Sequence, residues 1–414
     1  MERVKNGDGM NPTQDSFYGL GIAPGLMQKI QDLGFETPTP IQLKAIPLAN
    51  EGKDVIGIAQ TGTGKTLAFG IPMVQRLAQK KGRGLVLTPT RELAIQVRAA
   101  MMPFAAVLRM GTAVLIGGEP IRGQVRALKK NPRIIVATPG RLIDHMEQRF
   151  VNLSDVNILV LDEADRMLDM GFAPQIERIM KKVPKRRQTM LFSATMPTEI
   201  MRIASAHMRL PVHTEIAPSG TAAEGVSHEV FVVKRDLKRT LLDKILKQYT
   251  GSVLVFTRTK RGAWVAARSL RRAGYAAAEI HSDRSLAQRK EALNGFKSGK
   301  YRVLVATDIA ARGIDVQGIE LVINYDLPDE PGSYVHRIGR TGRAGLKGHA
   351  ISFATPDQGP DLRNIEKLID MSIVLSEHPE IPAETFGPKP RTDFQKRFAR
   401  FKGRMGRRPV RKPR

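Results

Sequence analysis

The sequence predicts an α/β protein made of two parallel-sheet units in tandem, joined by a flexible linker and followed by a basic C-terminal tail. Three observations carry that prediction. Short apolar runs alternate with helical patterns along most of the 414 residues, the signature of a parallel sheet covered by helices. The alternation pauses once, at a small, polar, aperiodic stretch, and then restarts. Near the C-terminus the composition turns strongly basic.

Taken in order, the first unit is assigned to residues 1–215. In it "DVIGIA" precedes a helical pattern starting near Gly64, "GLVLTPT" precedes "RELAIQVRAAMMPFAA", and "RIIVATPG" precedes "RLIDHMEQ". The linker, 216–227, contains "APSGTAAEGVS". The second unit, 228–370, restarts the alternation with "GSVLVFT", "AAAEIHS", "YRVLVATD" and "LVINYD", and no short-period repeat points to a solenoid. Residues 371–414 are read as a basic extension, disordered when free. From Gly387 onward it has twelve Lys or Arg against one acid, so it holds +11 of the formal net charge of +26. Phe394, Phe398 and Phe401 fall there at i, i+4 and i+7, a helical stripe that contact with a partner would order.

A charge of +26 favours a polyanionic partner, either nucleic acid or an anionic membrane surface. Apolar runs such as "NILVL" and "VLVF" are strand-length, far short of the roughly 20 residues a membrane span needs. "MERVKNGDGMNPTQ" lacks the apolar core of a signal peptide. The absence of cysteine excludes disulfides, thiolate-bound zinc, cysteine-bound iron–sulfur clusters and cysteine nucleophiles. The expectation is a cytoplasmic protein with no membrane partner.

"AQTGTGKT" places Ala59, Gln60, Thr61, Gly62, Thr63, Gly64, Lys65 and Thr66 in a candidate phosphate loop, with alanine where G-x-x-x-x-G-K-[ST] begins with glycine. Gly62 and Gly64 let the backbone aim N–H groups at phosphate, Lys65 supplies a cation, Thr66 offers a hydroxyl to Mg²⁺, and the following helix points its positive end at the same place. A glycine-rich surface turn is the alternative. "NILVLDEAD" supplies a buried-type strand ending in acids, where Asp162 would hold Mg²⁺ through water and Glu163 would orient and deprotonate an attacking water.

The loop and "DEAD" (162–165) together resemble the DEAD-box RNA helicases, a branch of helicase superfamily 2 in which alanine begins this loop. The resemblance extends over about residues 15–370 through "GFETPTPIQ" (34–42), "PTRELA" (89–94), "GG" (117–118), "TPGR" (138–141), "SAT" (193–195), "VATDIAARGID" (305–315) and "YVHRIGRTGR" (334–343). It implies RecA-like units, ATP and Mg²⁺ as cofactors, and RNA as partner, with ribosomal or other ribonucleoprotein components as candidates beyond it. Gln42 would read adenine, its amide giving and accepting hydrogen bonds at once, with Phe17 beside the base. Asp315 would contact the ribose. Lys65, Asp162, Glu163 and the arginine fingers Arg340 and Arg343 make the implied catalytic set.

Ser193, Thr195, His336 and Arg337 match interdomain connectors, though Ser193 and Thr195 equally suit helix caps. The implied RNA contacts are Thr90, Arg91, Gly118, Thr138 and Arg141 in the first unit and Arg284 and Thr307 in the second, all suited to backbone phosphates. In "HSDRSLAQR" the chain departs from the pattern: many members have Gly at Ser282 and Gln at Leu286, while Arg289 matches. The implied function is an ATP-dependent RNA helicase that unwinds short duplexes or remodels ribonucleoproteins. An ATP-gated RNA clamp and a DNA translocase of the same superfamily are the alternatives.

Overall fold

The computed structural model of the protein describes residues 16–60, 62–216, 225–308, 316, 319–342 and 348–387. Thr61, Asp315, Arg343, most of the expected linker and the phenylalanine stripe lie outside the described residues.

The first unit contributes β1 (Val55–Ile58), β2 (Arg83–Leu87), β3 (Thr112–Leu115), β4 (Ile134–Ala137), β5 (Val156–Asp162), β6 (Gln188–Ser193) and β7 (Val212–Glu215). They pair in the order β3-β4-β2-β5-β6-β1-β7, each described pairing parallel. The second unit contributes β8 (Val226–Val232), β9 (Val253–Thr257), β10 (Ala277–Ile280), β11 (Val303–Thr307), β12 (Leu321–Asn324), β13 (Gly348–Ala354) and β14 (Val374–Ser376). These pair in the order β10-β11-β9-β12-β13-β8-β14, again in parallel. Counted from its own first strand, each sheet has the order 3-4-2-5-6-1-7.

Strands covered on both faces read as near-continuous apolar runs, which is how "GLVL" and "IIVA" look. The period-2 pleat sorts them: Val86 joins Val55, Val136 and Val160 in one apolar cluster, while Leu85 and Leu87 join Ile56, Ile135 and Leu159 in the other. Where β1 starts, Asp54 is buried and ties three segments together. One carboxylate oxygen accepts from the Thr189 N–H at 2.7 Å and the other from the Arg209 N–H at 2.7 Å.

Two expected boundaries need correction. The second sheet begins at Val226, two residues before the expected 228. It also extends past 370: β14 pairs with β8, Ile373 is buried, and Phe386 packs against Gly359. Residues 371–387 therefore belong to the second unit. A three-residue edge strand is too short to show a period, and the basic composition that marks the tail begins only at Gly387.

Replacing Asp54 with alanine orphans the buried Thr189 amide donor, at about 1–3 kcal/mol, and frees the part-buried Arg209 N–H to water. Asp54→Ala is expected to lower the urea midpoint of unfolding with an unchanged m-value. An unaltered midpoint would show that the Asp54 bridge contributes nothing.

Candidate functional site

The expected loop follows the C-terminal end of β1, and helix Lys65–Gln79 leaves it. Gly64 has φ +89°, and a Cβ there would lie 2.5 Å from Gln42 Nε2 and 2.8 Å from Thr39 Oγ1, so the turn requires glycine. Gln42 Nε2 donates to the Gly64 carbonyl at 3.1 Å, and its Oε1 accepts from the Thr39 N–H at 2.9 Å. The glutamine is thereby fixed to the loop, with one further N–H and one further lone pair on its amide. Lys65 is buried and donates to the Ala59 carbonyl at 2.7 Å; Thr63 Oγ1 donates to the Gln60 carbonyl at 2.7 Å. Phe17, only 3% exposed, sits in the apolar cluster of the first unit and offers a site little more than a ring edge.

β5 ends on Asp162, and Glu163 follows with φ +53°, an uncommon conformation for a residue with a long side chain. Asp162, Glu163, Asp165 and Arg166 are all buried. Burial and the adjacent Glu163 charge push the Asp162 carboxyl up to about 7. Burial also acts to raise Glu163, yet Arg166, Lys65 and Arg340 together hold it below its ordinary value. Arg166 reaches it directly, Nη1 to Oε2 at 2.8 Å. Glu163 is thus an ionised carboxylate beside a neighbour that protonates more readily.

Asp165 links this strand end to β6. Its Oδ2 accepts from the Ala194 N–H (3.1 Å), the Thr195 N–H (3.0 Å) and Thr195 Oγ1 (3.0 Å), while its own N–H donates to Ser193 Oγ at 3.1 Å. From the second unit, His336 Nε2 comes within 4.0 Å of Asp165 Oδ2. Burial, then Arg166, holds the His336 imidazole well below its ordinary 6.5, so it stays neutral. Ser193, Thr195 and His336 thus meet around Asp165, a member of the DEAD motif to which the sequence reading gives no role of its own.

Arg340 is 2% exposed, donates Nε to the His336 carbonyl at 3.2 Å, and is close enough to lower Glu163 across the interface. Gly339 stands opposite Gln60 of the loop: a Cβ on it would lie 3.9 Å from Gln60 Oε1. Arg337 needs correction. Its bonds run to Asp308 (2.5 and 2.7 Å), Asn324 Oδ1 (3.1 Å) and the Asp326 carbonyl (2.6 Å), all in its own unit, so it braces helix Pro331–Ile338 on the second sheet instead of reaching the first.

A second contact between the units comes from helix Leu286–Lys297. Leu286, Arg289 and Lys290, at i, i+3 and i+4, share one face. Leu286 is 6% exposed within the first unit's apolar cluster, Arg289 pairs with buried Glu92 at 2.7 Å, and Lys290 pairs with Glu119 at 3.1 Å. Glu92, Glu119, Asp165 and Arg166 are the residues sequence reasoning missed. The Glu163/Arg166 spacing of i, i+3 was the available signal for one of them.

The residues expected to grip a backbone lie at the ends of β2, β3 and β4, neighbours in the sheet. The Arg91 guanidinium covers Gly118, where φ is +75° and a Cβ would collide with Nη1. Arg141 donates to the Glu119 carbonyl at 3.0 Å. Thr90 and Thr138 are buried at helix starts, and Thr90 Oγ1 caps its helix by accepting from the Leu93 N–H at 3.2 Å. In the second unit Arg284 is bound to Glu279, and Thr307 ends β11.

Comparison with known proteins gives this arrangement a family. The DEAD/DEAH box helicase model matches residues 39–203, and the helicase conserved C-terminal domain model matches 237–345. The DEAD-box ATP-dependent RNA helicase CshA of Bacillus subtilis is 47% identical over 355 residues, 85% of this chain and 72% of that protein. The CshA protein of Listeria monocytogenes is 47% identical over 354 residues, 85% of this chain and 68% of that protein. Among solved structures, Saccharomyces cerevisiae Dbp5 bound to RNA and ADP BeF3 is 30% identical, with a TM-score of 0.80 over 87% of this chain and 95% of that one. A DEAD box protein of Methanococcus jannaschii is 39% identical over 88% of this chain and 99% of that one, yet its TM-score is 0.52. By sequence, strand order and the convergence of its motifs at the strand ends, the chain belongs to the DEAD-box helicase family.

Proposed function

We propose that the protein is an RNA-dependent ATPase that couples ATP hydrolysis to local opening of short RNA duplexes or remodelling of ribonucleoproteins. The observation that carries this reading is that Arg340 of the second unit lies buried near Glu163 of the first, an arrangement that would make hydrolysis conditional on the two units meeting. The relatives' names and the RNA-bound neighbours support it.

The loop's glycine turn, which a Cβ would fill, and the acids beside Lys65 fit a nucleotide with Mg²⁺. Thr66 and Asp162 would hold the ion, which when bound offsets phosphate charge; magnesium sites of this kind use one or two carboxylates plus the substrate's phosphates. Gln42 would orient the base, with Phe17 and Asp315 as further proposed contacts. Glu163, kept ionised, takes the proton of the attacking water. Arg340, with Arg343 as the second proposed finger, stabilises charge on the transferring phosphoryl group.

Arg91, Gly118, Arg141 and the neighbouring helix starts would hold the RNA backbone, with Arg284 and Thr307 from the other unit. Contacts of that class position without reading sequence. The proposed setting is cytoplasmic, with ribosomal or other ribonucleoprotein RNA as substrate. No helix among the described residues is long and apolar enough to cross a membrane.

Three outcomes follow. Glu163→Gln is expected to keep ATP and RNA binding while losing nearly all RNA-stimulated turnover; near-normal turnover would overturn the role of Glu163. His336 is neutral in the interface and ordinary when the units part, so closure is fully favoured above pH 6.5 and weakens as pH falls below it. Energy transfer between dyes on the two units, with RNA and a non-hydrolysable ATP analogue, is expected to fall between pH 7.5 and 5.5 in proportion, and His336→Gln to flatten the profile. A profile unchanged by that substitution would remove His336 from the coupling. Deleting residues 387–414 is expected to reduce the slope of log affinity for single-stranded RNA against log salt by about 0.7 for each phosphate the tail neutralises. An identical slope would show that the tail is not on the RNA.

A further inference from the structure

The identical strand order of the two sheets gives every position in the first site a counterpart in the second. In the first sheet Ile58 of β1 is level with Ser193 of β6, and Asp162 of β5 with Phe192. In the second, Val232 of β8 is level with Ala354 of β13, and Asn324 of β12 with Ser352. Asp326, two residues beyond Asn324, therefore stands where Glu163 stands. Lys238 opens the helix after β8, Lys238–Gln248, as Lys65 opens the helix after β1. Lys238 is 3% exposed, and its Nζ reaches Asp326 Oδ1 at 3.0 Å and the Tyr325 carbonyl at 2.8 Å. The second unit thus repeats the buried lysine and acid of the first without the glycine loop, since residues 233–237 read "VKRDL".

At that place a cleft of about 1190 Å³ opens between helices Lys238–Gln248 and Lys260–Arg272, bounded by the ends of β9, β12 and β13. Seven Lys or Arg against four Asp line it, so it is net positive. Lys238 is neutralised by Asp326, Lys247 by Asp243 at 2.8 Å and Lys234 by Glu384 at 3.1 Å, and Arg258 faces Asp329 at 3.1 Å, while Asp357 and Asp361 also line the cleft. Arg235 and Arg239 are exposed and act electrostatically on Tyr325 at the same strand end. Guanidinium forks pair bidentately with phosphate oxygens and need no glycine turn to do so.

We propose that this cleft is a second anion site, one that takes a compact polyphosphate chain, either free or as the phosphates of a nucleotide, on Arg235 and Arg239. The site is separate from the Lys65 loop and does not rest on the function proposed for that loop.

The test is calorimetric titration of the full chain with inorganic tripolyphosphate, in a Lys65→Ala background that disables the first loop. Binding that persists there and weakens about tenfold or more in Arg235→Ala/Arg239→Ala supports the site. Both arginines are exposed, so the double variant is expected to fold and, where Lys65 is retained, to keep its RNA-stimulated ATPase unchanged. ADP binding more tightly than tripolyphosphate at this site would identify a nucleotide as the ligand; equal affinities would identify the phosphate chain alone. Loss of binding in Lys65→Ala, indifference to Arg235 and Arg239, or displacement of tripolyphosphate by single-stranded RNA would each overturn the proposal.

Discussion

Buried charge has to be balanced, and that constraint organises the molecule. Six ionisable side chains around the ends of β1 and β5 are 6% exposed or less: the acids Asp162, Glu163 and Asp165 and the cations Lys65, Arg166 and Arg340. Five come from the first unit and leave it one acid in excess, which is consistent with the raised Asp162. The sixth, Arg340, arrives with the second unit. Removing one partner from such a cluster leaves an uncompensated charge, which costs far more than the pair contributes when complete. Closure thus completes an electrostatic set, and His336, entering a site already supplied with cations, does so uncharged.

The same constraint explains how the two units diverge on one architecture. Parallel strands ending side by side collect their following loops into one crevice, whichever sheet they build. In the first sheet the crevice holds a glycine turn and excess acid. In the second, Lys238 and Asp326 cancel each other inside, and exposed Arg235 and Arg239 stand outside that pair. Arg337 likewise belongs to the second sheet's internal balance, through Asp308, which is why it cannot reach across.

Most of this was legible where function depends on contiguous residues. The loop, the acids at the end of β5 and the alternation of strand and helix are local patterns, and they give the fold class and the nucleotide site directly. Asp165 and Arg166 were hidden because their partners, residues 193–195 and the left-handed Glu163, meet them only in three dimensions. Thr90 and Thr138 look like polar contacts in a motif, yet both are buried at helix starts, a place their type equally favours. The short edge strand β14 carried no periodic signal, and the tail's charge drew the boundary too early.

Leu286 sharpens the physics of closure. A polar residue expected there would have added another hydrogen bond to an interface already made of ion pairs. The leucine instead buries its side chain against the first unit, worth about 1.5–3 kcal/mol relative to exposure and insensitive to salt. On the same helix face, the more exposed Lys290–Glu119 pair contributes about 0–1 kcal/mol and is screened by salt. Arg289–Glu92 lies between them, buried and costly to break but of small net worth when intact. This contact between the units is therefore carried mainly by apolar area, whereas the proposed grip on RNA is carried by charge and weakens steeply with salt. The two halves of the proposed cycle accordingly respond differently to ionic strength: rising salt releases the strand before it parts the units.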